Sequence, residues 1–186
     1  MLLAFLYIIG FMKSLGKEFF ARDTLRVAKE LLGKKIVRKI NGKKIEGIIS
    51  EVEAYHGPND KASHASRGRT KRTEVMFGEA GVIYVYLIYG MYYCLNIVTG
   101  EKDFPAAVLI RGIFFGKEHV NGPGRVARFL NIDKSLNNKP LSKKTRLWIE
   151  DGIKPKKFFC SSRIGIDYAG PIWSKKPWRF WMKVVK

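Results

Sequence analysis

The 186 residues carry 46% hydrophobic and 13% aromatic side chains, enough to bury the core of one domain and too many for a disordered or low-complexity chain. Lys and Arg number 35 against 16 acidic residues, a formal charge of +19. The excess runs through both halves, so it describes a folded cationic surface suited to a polyanion such as nucleic acid, although charge alone says nothing about catalysis.

The chain opens on MLLAFLYIIGFM, an uncharged apolar run. It is shorter than the roughly 20 residues that span a bilayer. It also lacks the basic start and small-residue cleavage site of a secretory signal. Two readings stand: residues 1–11 pack on the body, or Met12 is the true start and residues 12–186 form the domain. No membrane association is expected in either case.

Asp23 ahead of Thr24, Leu25, Ala28, Leu31 and Leu32, with Gly33 behind, predicts a first helix. Lys34 to Arg38 and Lys44 to Ala54 alternate about Asn41-Gly42, a favoured two-residue hairpin turn, which puts Glu53 near a strand end. Residues 56–74 read as a long polar loop with one helical turn, a length usually tied to function or disorder. Strands are predicted over Gly81 to Tyr89, Tyr92 to Val98 and Ala106 to Gly112, the first two joined by a tight turn at Tyr89-Gly90-Met91. Pro123 to Leu130 reads as a short helix with proline in its first turn. Leu147 to Glu150 precedes a turn at Asp151-Gly152. Ser162 to Ile166 and Trp178 to Val185 are read as the last strands. The sum is a single α+β domain: a curved, mainly antiparallel β-sheet flanked by short helices, with a protruding β-hairpin and no βαβ rhythm or nucleotide-binding glycine fingerprint.

Cys94 and Cys160 are too few for a disulfide scaffold or a four-cysteine metal site. Cys94 falls in an apolar run and reads as a buried thiol in a reducing compartment. His56, His64 and His119 show no HExxH spacing, so no metal is expected.

Three groups could carry chemistry. Glu51, Glu53 and Tyr55 share one side of a strand. By pattern alone both carboxylates are solvated, but a face that binds phosphates should not keep a carboxylate without use. Tyr84, Tyr86, Tyr89, Tyr92 and Tyr93 form an aromatic stripe. About half of these rings should be core, and Tyr89, on a glycine-flanked turn, is the hardest to explain by packing. Rings that stack nucleobases contribute about 1–3 kcal/mol each. Arg67, Arg69, Lys71 and Arg72 are either solvated or in contact with phosphate. The same choice holds for the basic C-terminal third, where Lys143, Lys144, Lys154, Lys156, Lys157, Arg163, Lys175, Lys176 and Arg179 are interleaved with Trp148, Trp173, Trp178 and Trp181.

Taken together, EVEAYHGPNDKASHASRGRT, MFGEAGVIYVYLIYGMYYCLNIVTG, AAVLIRG and NGPGRVARFLNI resemble the alkyladenine (3-methyladenine) DNA glycosylases. The likeness begins near FFARDTLRVAKELLGK and runs to RIGIDYAG and PWRFW, nearly the whole chain. It implies hydrolysis of the N-glycosidic bond of alkylated or deaminated purines in double-stranded DNA. An abasic site would remain, with no strand cleavage, because no lysine is placed as a Schiff-base nucleophile.

By the same resemblance Glu53 activates water, and Arg111 helps hold that water or a neighbouring phosphate. Tyr55 and Tyr86 sandwich the extruded base, His64 bonds its edge, and Asn96 excludes normal guanine. Tyr89 fills the hole left in the duplex. No cofactor, metal or obligate protein partner is implied. A monomer is expected, cytoplasmic and nucleoid-associated in a prokaryote or nuclear in a eukaryote. His56 stands where an apolar residue is expected, the tail is unusually basic, and residues 1–11 lie outside the likeness. Two other classes fit the bare residues: a non-catalytic nucleic-acid-binding protein with a tyrosine stacking platform, and a ribonucleoprotein module in which Glu53 is inert.

Overall fold

The computed structural model describes residues 14–183. A one-turn helix α1 (Lys17–Phe20) leads into α2 (Thr24–Leu31), then β1 (Lys35–Ile40) and β2 (Lys43–His56). After the polar loop come β3 (Val82–Ile88), β4 (Tyr92–Val98), β5 (Ala106–Phe115), β6 (Glu118–Asn121) and α3 (Pro123–Phe129). The chain closes with β7 (Lys139–Pro140), β8 (Leu147–Glu150), β9 (Phe159–Ser161), α4 (Gly170–Ser174) and β10 (Arg179–Trp181).

Local chemistry accounts for the predicted elements. The Asp23 side chain accepts from Arg26 N–H at 2.8 Å and caps α2, which buries Val27, Ala28 and Leu31. Gly33 ends it at φ +82°, where a Cβ would stand 2.1 Å from the Ile153 carbonyl oxygen. Asn41 and Gly42 both take positive φ, the geometry of the predicted hairpin turn.

The strands form one antiparallel sheet in the order β7-β3-β4-β5-β2-β1-β8, with β6 beside β5 and β10 joining β2 to β9. Long β2 pairs with β1 through its first half and with β10 at residues 51–53, keeping β5 along its other edge. One face of the sheet rests on the helices. Ile83 and Val85, Leu95 and Ile97, Ile110, and Val52 and Ala54 join Val27, Leu31 and Val126 in the main core. Each such fully buried branched side chain contributes about 1.5–3 kcal/mol. The residues between them, Tyr84, Tyr86, Asn96, Arg111, Glu53 and Tyr55, therefore point to the other face.

Two predicted strands differ. Residues 162–166 are not a strand: β9 ends at Ser161, and the Ile164 N–H donates to a side chain instead of a ladder. The last strand is short, Arg179–Trp181, and the end of its predicted span lies outside the described residues, as does the 1–11 leader. The long loop holds one 3₁₀ turn, His64–Arg67, as expected, and a second, Glu74–Phe77, follows at its end. Helices α1 and α4 and strands β6 and β7 carry too few periodic residues to be read from sequence.

Candidate active site

Register builds the floor of the site. Tyr84 on β3 stands opposite Asn96 on β4, Asn96 opposite Leu109 on β5, Leu109 opposite Glu53 on β2, and Glu53 opposite Arg179 on β10. Five strands thus deliver one row of side chains to one face. Register shifts on either side of Glu51 leave Ser50 and Arg111 without a direct opposite. A bulge of this kind re-aims the side chain it carries. Arg111 Nε consequently reaches both Glu51 Oε1 at 3.2 Å and Glu53 Oε1 at 3.4 Å.

Neither glutamate is solvated, in contrast to the pattern-based expectation. Glu51 accepts from Arg111 and, at 3.0 Å, from Arg179. Glu53 is 0% exposed. Its Oε2 accepts from the Tyr55 hydroxyl at 2.9 Å, and its Oε1 from the Ile164 N–H at 2.8 Å. Burial pushes its pKa above the ordinary carboxylate range, and Arg111, the Ile164 N–H, the Tyr55 hydroxyl and Arg163 pull against that rise. A carboxylate so placed is ionisable yet water-poor, and so available to take a proton.

Above this floor lies a cavity of about 500 Å³ lined by Tyr55, His64, Tyr86, Asn96, Leu109 and Arg111 among others. Tyr55 and Tyr86 come from β2 and β3, with β5 and β4 between them in the sheet. Burial raises the pKa of both phenols, so they remain neutral hydrogen-bond donors. Asn96 is held by its side-chain NH₂, which donates to the Tyr84 carbonyl at 3.2 Å. A second, longer contact from the same NH₂ to the Cys94 carbonyl, 3.5 Å, fixes the amide against the floor of the cavity. His64 Nδ1 lies 3.3 Å from the Tyr84 hydroxyl, and its ring meets Tyr86 edge-on at 4.5 Å. Burial first, and then Arg72, lowers its pKa to about 4, so the imidazole is neutral at physiological pH. Cys94 is buried as expected, its thiol pushed up to about 11 by burial.

Tyr89 also borders this cavity, at the tip of the β3–β4 hairpin, and is 85% exposed. Its φ is +51°, a left-handed conformation that disfavours any residue with a Cβ by about 1–2 kcal/mol. A tyrosine that is both strained and solvated returns nothing to the fold. Of the five rings Tyr84 is buried, Tyr93 packs against the core, and Tyr92 is exposed.

All seven predicted site residues therefore meet at this cavity, Glu53 through its contacts with Tyr55 and Arg111. Four participants were not predicted. Leu109 follows from register alone, and the Ile164 N–H carries no sequence signal. Arg163, read as either solvated or in contact with phosphate, is instead buried: it pairs with Asp60 at 2.5 and 2.8 Å and donates to the Ala54 carbonyl. Its guanidinium lies 4.8 Å from the Tyr55 ring centre and 5.1 Å from that of Trp178, fixing the tyrosine from behind. Arg72, seen only as one charge in a run, borders the cavity beside His64. Among the described residues no group of three or more His, Cys, Asp or Glu side chains converges as metal ligands would.

Comparison with known proteins is consistent across the chain. The family described as methylpurine-DNA glycosylase (MPG) matches residues 18–186. A relative from Anaeromyxobacter sp. (strain Fw109-5), named "Putative 3-methyladenine DNA glycosylase", is 45% identical over 170 residues, covering 89% of this chain and 87% of its own. Relatives of the same name from the archaeon Methanocella arvoryzae and from Sodalis glossinidius are 44% and 48% identical, covering 92% and 89% of this chain and 94% and 95% of theirs.

Proposed function

Because the chain belongs to the methylpurine-DNA glycosylase family, a family of DNA-repair enzymes, we propose that it turns alkylated or deaminated purines out of duplex DNA and hydrolyses their N-glycosidic bond. The product is an abasic site, with no cleavage of the strand. The observation that carries this reading is a buried glutamate, Glu53, tied to Arg111 and Tyr55 at the edge of an aromatic cavity.

The reacting carbon lies inside a base stack, so the nucleotide must first leave it at a cost of a few kcal/mol. Tyr89 offsets part of that cost by entering the gap. The extruded purine lies between Tyr55 and Tyr86, with His64 at its edge. Cationic alkylated bases gain further from the electron-rich rings. Asn96 blocks the exocyclic amine of normal guanine. Cleavage passes through an oxocarbenium-like sugar. Ionised Glu53 draws a proton from the attacking water and stabilises the developing positive charge, while Arg111 holds the water or the adjacent phosphate.

Glu53→Gln is expected to bind lesion-containing duplex at parental affinity and release no free base. Base release at the parental rate would refute the mechanism. A non-catalytic stacking protein would instead yield no alkali-labile site from hypoxanthine- or methyladenine-containing duplex with the parent protein itself.

A further inference from the structure

We propose that Asp60 and Arg163 form a positioning pair for the reaction: by locking the peptide that follows Arg163, they keep the Ile164 N–H on Glu53 and so hold that carboxylate in its reactive orientation. The inference rests on the base-excision reading above and deepens it with two residues that act through others.

The pair is enclosed, with neither side chain exposed to solvent. Arg163 Nη1 and Nη2 donate to the Asp60 carboxylate at 2.5 and 2.8 Å, and Nη1 also donates to the Ala54 carbonyl at 2.9 Å. Ala54 is the residue between Glu53 and Tyr55 on β2. Asp60 in turn accepts from the His56 and Ala62 N–H groups, both at 3.1 Å. It thereby closes the loop that leaves Tyr55 and leads to Ser63 and His64, which line both the aromatic slot of Tyr55 and Tyr86 and a second cavity beside it. Three stretches that carry site residues, 53–56, 60–64 and 163–166, are thus tied at one point.

The last of these has little else to hold it. It belongs to no strand, and Ile164 is 51% exposed. Its apolar anchorage is a small cluster in which Ile166 meets Ala62 and Ala169, with Tyr55 and Trp173 against it. Yet the Ile164 N–H donates to Glu53 at 2.8 Å, and such a bond fixes a carboxylate only if the peptide bearing it cannot turn. Arg163, one residue before, is clamped by its planar fork, with the rings of Tyr55 and Trp178 centred 4.8 and 5.1 Å away. Apolar side chains would serve the fold as well as a buried ion pair, because both charges have been stripped of water. What apolar chains would not supply is direction.

The test compares the parent with Asp60→Asn/Arg163→Met, which removes both charges together and leaves neither buried alone. Its melting temperature should stay near the parent's. Where both are folded, single-turnover release of hypoxanthine from duplex should fall by about a hundredfold, the scale of a small misplacement of reacting groups. The enzyme concentration for half-saturation should hold. In amide hydrogen exchange Ile164 should lose its protection while the amides of β2 and β5 keep theirs. Arg163→Lys keeps the ion pair, and with it the fold, but lacks the fork, so release should slow by about tenfold. That variant decides the matter if the double variant does not fold. Release at the parental rate by either folded variant overturns the inference. So does a loss of rate with the Ile164 amide still protected, or one accounted for by the unfolded fraction. Failure of the parent to release hypoxanthine would instead remove the functional reading beneath it.

Discussion

Two carboxylates two residues apart on β2 have different work because of their neighbours. Glu51 lies between Arg111 and Arg179 and acts as a counter-ion, whereas Glu53 shares Arg111 but is enclosed by a hydroxyl and a backbone N–H. The pKa of Glu53 in the folded state lies above its unfolded value, so folding favours the protonated acid. That stabilisation is fully present below the ordinary carboxylate range and is lost as pH rises through the raised value. Glu53→Gln should accordingly gain in melting temperature relative to the parent between pH 4 and pH 7, while losing activity. His64 has the opposite displacement. Its folded pKa of about 4 lies below the usual 6.5, so the ring should stay neutral through pH 5–8, and its imidazole resonance should titrate with a midpoint near 4. A midpoint near 6.5 would show that burial and Arg72 do not act on it as argued.

At the scale of elements, the β3–β4 hairpin separates fold from function most cleanly. Its strands bury Ile83, Val85, Leu95 and Ile97, and its tip exposes Tyr89 and Met91. Tyr89→Gly relieves the positive-φ strain, so stability should hold or rise by up to about 1 kcal/mol. Excision of hypoxanthine from a fully paired duplex should nonetheless slow more than tenfold, with a smaller loss from single-stranded substrate, where no gap needs filling. Equal losses on both substrates would count against a wedge. The segment after β9 teaches the converse lesson. Residues 163–166 alternate like a strand, yet the Arg163 side chain turns inward to Asp60 and the Ile164 N–H donates to Glu53, partners more than 100 residues away in sequence. No local pattern encodes such a use.

For the whole molecule, the +19 charge is distributed unequally in effect. Arg69, Arg111, Arg163 and Arg179 are neutralised by carboxylates, while Lys61, Arg67 and Arg72 border the cavity next to the slot. Duplex binding should weaken steeply with salt, with a log–log slope of about −5 or steeper by titration between 50 and 200 mM. Damaged and undamaged duplexes should share that slope, because the proposed function places lesion recognition in the slot and not in the phosphate contacts. A slope near zero would remove the electrostatic account of the basic surface.

Sequence by itself determined which side chains share a face. The period of two along β2, β3, β4 and β5 separates Glu53, Tyr55, Tyr84, Tyr86 and Asn96 from the core-facing residues between them, and the caps and turns at Asp23, Asn41-Gly42 and Tyr89-Gly90 are local rules. The family likeness supplied roles for five of those residues, Glu53, Tyr55, Tyr86, Tyr89 and Asn96, and for His64 and Arg111 besides. Only the tertiary structure decided that Arg111 would be shared by two glutamates, that Arg163 would lie behind Tyr55, that the Ile164 N–H would hold Glu53, and that Arg72 would stand beside His64. The reason is physical: periodicity fixes the direction of a side chain relative to its own strand. Which distant group meets it depends on strand order, on register shifts and on the path of irregular chain, and these emerge only when the entire sheet is packed.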